Sequence, residues 1–134
     1  MKYLSDYMEE GQSALFKEMK VFFAFSDKQF EEGLKKHNLS KKNKIASLGQ
    51  GMFCPKKNGF KVVNALEGIY KLAIERDIKE NGIENIIYRE LSNHECFWTG
   101  DITDCVEKLS DYPITKEEII EVFNKNYQKE SLKF

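Results

Sequence analysis

Apolar positions along this chain recur mostly at the three-to-four-residue spacing of helices, broken by short runs with strand character. Leu4, Met8, Leu15 and Met19 fall near one face of a segment from Ser5 to about Glu18, which predicts an amphipathic helix weakened slightly by Gly11. Val21-Phe22-Phe23-Ala24-Phe25 follows, a β-branched and aromatic run suited to a buried strand. Phe22, Phe23, Phe25 and Phe30 are all expected in the core. Ser26 and Gln29 have capping-box spacing, in which the Ser hydroxyl accepts from the third helical amide and Gln returns to the cap's own amide. The helix they open carries Phe30 and Leu34 and ends near His37-Asn38.

Lys44 to Leu48 and Gly51 to Cys54 flank Gly49-Gln50, a hairpin signal with Gly first, as in a type II′ turn. Pro55 suits the first turn of a helix, where a missing amide costs nothing. That helix is predicted to reach about Glu80, with Val62, Val63, Leu66, Ile69, Tyr70, Ala73 and Ile74 on its apolar face. Asn81-Gly82 stops it, and Ile83 to His94 is the next helix, with Ile86, Ile87 and Leu91 inward. Asp101 is placed to cap another, ending around Ser110 to Pro113. Thr115 and Glu118 form a second capping box before a last helix with Ile119, Ile120, Val122, Phe123 and Tyr127 on its face, fraying after Gln128. The expected fold is α+β: one domain over residues 1–134, with a small antiparallel sheet of about three strands, including a hairpin at 44–54, packed with five or six helices.

Charge changes this picture more than bulk composition does. The formal net charge of the 134-residue chain is −1. Yet residues 33–66 hold eight Lys (35, 36, 41, 42, 44, 56, 57 and 61) and no Asp or Glu, whereas residues 67–134 carry fifteen acids against nine Lys and Arg. A block of this kind is either a solvated face or a surface for an anionic partner. Nucleic acid is a poor candidate for that partner, since only two Arg are present and no zinc-finger spacing occurs. Met1 to Glu10 lacks the apolar core of a signal peptide, and no apolar run is long enough for a bilayer. Three Cys without framework spacing suit a reducing compartment. A cytoplasmic protein without membrane partner, cofactor or structural metal is expected, with a homo-oligomer possible.

Three constellations carry candidate chemistry. Gly49, Gln50 and Gly51 lead toward a helix start flanked by Lys56 and Lys57, with Lys41, Lys42, Lys44 and Lys61 nearby. Backbone amides, a helix dipole and ammonium groups together can hold a phosphate or carboxylate. Alternatively the glycines only satisfy turn geometry. Cys54 beside that helix start should have a lowered pKa, as a nucleophile or redox sensor would, but neither His37 nor His94 stands at diagnostic spacing, and a buried structural Cys is the commoner case. The richest window is Arg89 to Asp101, where Glu90 and His94 lie four apart on one helix face. Arg89, Glu90, His94 and Asp101 read mainly as a polar clasp between helices; ligand contact or metal ligation are the alternatives. The zincin motif is absent, because Trp98 stands where a second His would be required.

Three ordered motifs from about Ser5 to Phe123 resemble a family of short uncharacterised proteins of Gram-positive bacteria and their phages and mobile elements. They are Val21 to Ser26 with Gln29 to Gly33; Leu48 to Asn58; and Arg89-Glu90-Leu91, Asn93-His94-Glu95 and Thr99-Gly100-Asp101. The resemblance implies a compact intracellular protein often carried by phages, and transfers no catalytic residue. The functional expectation is a small binding protein, a phage or mobile-element accessory factor that binds an anionic, nucleotide-like ligand or a host protein, for example to counter host defence. The alternative is a small hydrolase or transferase using Glu90, His94 and Cys54.

Overall fold

Helix α1, Leu4–Glu18, opens where the Asp6 carboxylate turns back to accept the Tyr3 amide at 2.8 Å, and it buries Leu4, Tyr7 and Leu15. The computed structural model describes residues 1–40 and 42–131, without the side chain of Ser131. These residues form two compact units, Lys2–Ala73 and the chain from Ile74 onward. The described fold is α+β, as expected, with seven helices and a three-stranded antiparallel sheet of order β1-β3-β2. No helix among the described residues is long and apolar enough to cross a membrane.

In the N-terminal unit, strand β1 is only Phe22–Phe23. Side chains alternate across a strand, so the run of phenylalanines cannot all face one core. Phe22 is buried, stacking with Phe53 at 5.8 Å and His37 at 5.9 Å. Phe30 is half-buried, whereas Phe23 and Phe25 are 46% and 77% exposed, contrary to the expectation for both. Helix α2, Asp27–Lys36, starts at Ser26, whose hydroxyl accepts from the Gln29 amide at 3.2 Å. The Gln29 side chain accepts from Phe25, one residue before the cap, at 2.7 Å. Strands β2, Ile45–Gly49, and β3, Met52–Pro55, form the hairpin, with a one-residue irregularity between Ser47 and Gly49.

The link is Gln50-Gly51, both with positive φ of 52° and 79°. That is a type I′ turn rather than the type II′ turn expected from Gly49-Gln50; the shift in strand pairing moves the loop by one residue. A Cβ at Gly51 would lie 2.4 Å from the exposed Phe25 ring, which would have to move aside, and the positive φ there favours glycine. Pro55 is the end of β3, not the start of a helix: its ψ of 134° is extended. A single 3-10 turn, Lys56–Asn58, intervenes, and α3 runs Gly59–Asn81. The core of this unit is Leu15, Val21, Cys54 and Val62, with Phe16, Met19, Leu48, Met52, Ala65, Leu66 and Ile69 packed on it.

In the C-terminal unit, Gly82 takes a φ of 79° between α3 and α4, Ile83–Asn93. A short helix α5, Cys96–Thr99, occupies what reads in the sequence as an irregular link. Helices α6, Thr103–Lys108, and α7, Lys116–Ser131, complete the unit. Thr115 and Glu118 form the expected reciprocal box, at 2.9 and 3.1 Å. Helix α7 continues past Gln128 to Ser131, where Glu130 is buried and accepts from the Tyr88 hydroxyl; the rest of the tail expected to fray, 132–134, lies outside the described residues. Ile86, Ile87, Leu91, Phe97, Leu109 and Ile119 are fully buried.

Gly33 decides how closely α2 approaches the sheet, since a Cβ there would meet Phe22 Cδ2 at 2.2 Å. Gly33→Ala should therefore destabilise the protein by about 1–3 kcal/mol through overpacking. Urea denaturation checks this, and Gly33→Ala combined with Phe22→Leu should recover part of the loss.

Candidate functional site

A charged network lies inside the C-terminal unit, centred on a residue the apolar stripe of α3 carries inward. Asp77 stands four residues after Ala73 and three after Ile74, on the same face, and is completely buried. An isolated buried carboxylate is untenable, so its oxygens must be paired. Arg89 of α4 meets it in a two-pronged bond, Nη1 to Oδ1 and Nη2 to Oδ2, each 2.9 Å. The Tyr112 hydroxyl donates to Oδ2 at 2.5 Å, and Asn81 Nδ2 to Oδ1 at 2.8 Å. Arg89 Nε donates to Glu90 Oε1 at 3.1 Å, and Glu90 is also buried.

Burial alone would raise the Asp77 pKa, but hydrogen bonds from Arg89, Tyr112 and Asn81 outweigh it and hold the carboxyl below its usual range. The Tyr112 hydroxyl is pushed up, by burial first and then by its bond to Asp77. Arg89 goes up despite burial, because Asp77 and Glu90 surround it with negative charge. A group of this kind stays charged and fixed. It can hold helices in register, but it offers no proton at neutral pH.

His94 follows α4, with Nε2 3.6 Å from Glu90 Oε2 and its side chain 27% exposed. Neither of these two buried atoms has a hydrogen-bond partner among the described residues. Asp101 does not join them. It is exposed, and its carboxylate accepts from the Thr103 amide at 2.9 Å and the Thr103 hydroxyl at 2.6 Å; the N-cap of α6 is Ile102, one residue past the Asp101 expected there. Those bonds hold its carboxyl below the usual range. The structure thus brings Arg89, Glu90 and His94 together and leaves Asp101 out. Asp77 and Tyr112 complete the cluster instead. Asp77 was legible in the sequence as the one acid continuing the stripe of Leu66, Ile69, Tyr70, Ala73 and Ile74, whereas nothing near Tyr112 marks it.

The basic hairpin arranges its residues differently. Gly49, Gln50 and Gly51 sit at the turn, while Lys56 and Lys57 follow the far end of β3. About five residues of strand at ~3.3 Å each separate the two ends by roughly 15 Å. The Lys56 amide is already used, donating to the Lys44 carbonyl at 2.8 Å, and Asn58 Nδ2 donates to Met19 O at 2.9 Å. What converges is charge: Lys44, Lys56 and Lys57, with Asn43 and Pro55, line a shallow depression of about 390 Å³. None of these three lysines pairs with a carboxylate among the described residues. Lys41 lies outside the described residues.

Cys54 is fully buried, and burial raises its thiol pKa. The lowered value expected from the neighbouring lysines is not found, because the side chain points into the core beside Val62 rather than toward them. Cys105 is likewise buried, its thiol pushed up to about 12 by burial and by Cys96 and Glu90. Among the described residues, no three His, Cys, Asp or Glu side chains are grouped to hold a metal ion.

The chain belongs to the DUF7659 family, a family of unknown function whose model matches residues 4–129. No curated protein and no solved structure matches it.

Removing one member of a buried ion pair strands the other. Arg89→Ala should cost about 3–5 kcal/mol, while Asp77→Leu with Arg89→Met should recover much of that loss. His94→Ala, which removes only a 3.6 Å contact that is not a hydrogen bond, should cost less, about 1 kcal/mol. Chemical denaturation of the four proteins measures the ranking. Because the folded Asp77 pKa is depressed, its contribution is complete above the unfolded value of about 4 and is lost as pH falls through the folded one. Wild-type stability should decline on that acid limb, and the Asp77→Leu/Arg89→Met protein should decline less.

Proposed function

We propose that this protein acts by binding, and that the basic face of its N-terminal unit engages an acidic surface on a partner protein. The observation that carries this reading is the convergence of Lys44, Lys56 and Lys57, unpaired among the described residues, within a stretch of chain that contains no acid. Magnitudes favour a protein surface over a small anion. Exposed charge pairs are worth about 0.2–1 kcal/mol each. Three of them sum to roughly 3 kcal/mol or less, whereas even a millimolar Kd needs about 4 kcal/mol. A lone phosphate would need backbone amides as well, and the Lys56 amide is occupied. An extended acidic patch gains from several such contacts at once, and lysines, as point charges, suit it without strict geometry.

The setting that fits is a phage or mobile-element accessory factor meeting a host protein inside the cell, as the three motifs suggest by analogy. Interference with host defence is one form that meeting takes. The hydrolase or transferase alternative loses its nucleophile, since Cys54 is buried with a raised pKa.

Calorimetric titration with poly-glutamate and, separately, with nucleoside triphosphates tests the reading. Poly-glutamate should bind, and more weakly as salt rises. Lys56→Glu with Lys57→Glu should lower the affinity about tenfold or more, a loss of ~1.4 kcal/mol. Equal binding by the double variant, or no binding of poly-glutamate at low salt, would refute it; tight nucleotide binding would return the small-anion reading to first place.

A further inference from the structure

Between α1 and α2 the N-terminal unit leaves an open groove of about 750 Å³, with β1 along it. Phe16, Phe22 and Phe23 contribute aromatic surface, and Lys17 and Lys36 stand on it. Phe23 is nearly half exposed and meets Phe16 edge-on, with ring centres 5.5 Å apart. Aromatic surface on a sheet edge is a feature that proteins ordinarily hide.

The edge itself is open at one residue. Strand β1 has a single neighbour, β3. Ala24 donates its amide to Gly51 O at 2.8 Å, so this is a bonded pair of the antiparallel ladder. Bonded pairs alternate, which makes Phe22–Phe53 the next bonded pair and Phe23–Met52 a non-bonded one. The amide and carbonyl of Phe23 therefore point away from β3. The outward amides on either side are closed off: Val21 donates to Phe16 O at 2.8 Å and Phe25 to Gln29 Oε1 at 2.7 Å. Among the described residues of this edge Phe23 alone is left, and it lines the groove with Val21 and Phe22.

Charge says what kind of chain would come there. Lys17 and Lys36 face one acid of the groove, Glu32. Burial, then the charges of Lys36 and Lys20, lower the pKa of His37. We infer that the groove receives an extended acidic segment of a partner protein, which pairs by a reciprocal backbone bridge with Phe23 and seats an apolar side chain against Phe16 and Phe23. The segment's carboxylates lie toward Lys17 and Lys36. This is strand addition at its smallest scale: the backbone bridge fixes register, and the groove selects side chains. The inference goes beyond the basic depression of Lys44, Lys56 and Lys57 and shares no residue with it, so either can fail alone.

Panning a library of random linear peptides on the full chain, with counter-selection on the Phe23→Asp protein, provides the test. Phe23 is exposed, so that variant should fold, as circular dichroism would verify. Enriched peptides should carry acids beside a bulky apolar residue. N-methylation of one backbone amide should weaken a synthetic winner about tenfold or more, a loss of ~1.4 kcal/mol. Lys17→Glu with Lys36→Glu should weaken it too, and Lys56→Glu with Lys57→Glu should not. Three results would overturn the inference. They are no Phe23-dependent peptide, binding indifferent to N-methylation at every position, or sedimentation showing Phe23-dependent self-association, which would make a second copy of this chain the occupant.

Discussion

The buried pair of Asp77 and Arg89 is the constraint on which the C-terminal unit depends. Taking each charge out of water costs several kcal/mol even after relaxation, so the pair is tolerable only if every remaining valence is met. The structure meets most of them: a two-pronged bond between the partners, a hydroxyl from Tyr112, an amide from Asn81 and a second carboxylate, Glu90, on the Arg89 Nε. These groups come from α3, α4 and the segment after α6. Each geometric requirement of the carboxylate therefore positions one element of the unit. The apolar residues around it, such as Ile86 and Leu109, supply the driving force but not the register. A network this closed ties α3, α4 and the segment after α6 together. Among the described residues, its unpartnered buried side-chain atoms are Glu90 Oε2 and His94 Nε2.

The N-terminal unit is organised by a different constraint, the contact of Phe22 with the backbone of Gly33. That contact brings α2 against β1 and leaves Phe23, on the other side of the strand, facing outward. Exposure of one phenylalanine thus follows from burial of its neighbour. The same unit holds the acid-free lysine block, so both surfaces suited to a partner belong to it. Sequestering charge in one unit's core while exposing it on the other's face is consistent with a division between scaffold and recognition.

Helix positions were readable wherever apolar spacing and caps agreed, as at Ser26 with Gln29 and at Thr115 with Glu118. The turn was misassigned because Gly49-Gln50 and Gln50-Gly51 both contain a glycine, and only the pairing of Gly49 with Met52 distinguishes them. Pro55 was equally ambiguous: the same fixed φ suits a helix start and a strand end. Arg89, Glu90 and His94 could be grouped by their helical spacing. Asp101 could not be excluded from them, since nothing local says that Thr103 takes its carboxylate. Tyr112 is 35 residues from Asp77, and no local pattern encodes so distant a contact. Adjacency along the chain misled at the hairpin, where the strand carries Gly49 away from Lys57. It misled again at Cys54, whose neighbours in sequence are lysines but whose neighbours in space are apolar.

The central claim is that the C-terminal network is scaffold and that recognition belongs to the N-terminal unit. Two-dimensional amide NMR during titration with poly-glutamate at low salt locates the contact residue by residue. The account predicts shifts concentrated at residues 43, 44, 56 and 57, with the amides of Asp77, Arg89, Glu90 and His94 unmoved. Shifts centred on Glu90 and His94, with the lysines silent, would contradict it.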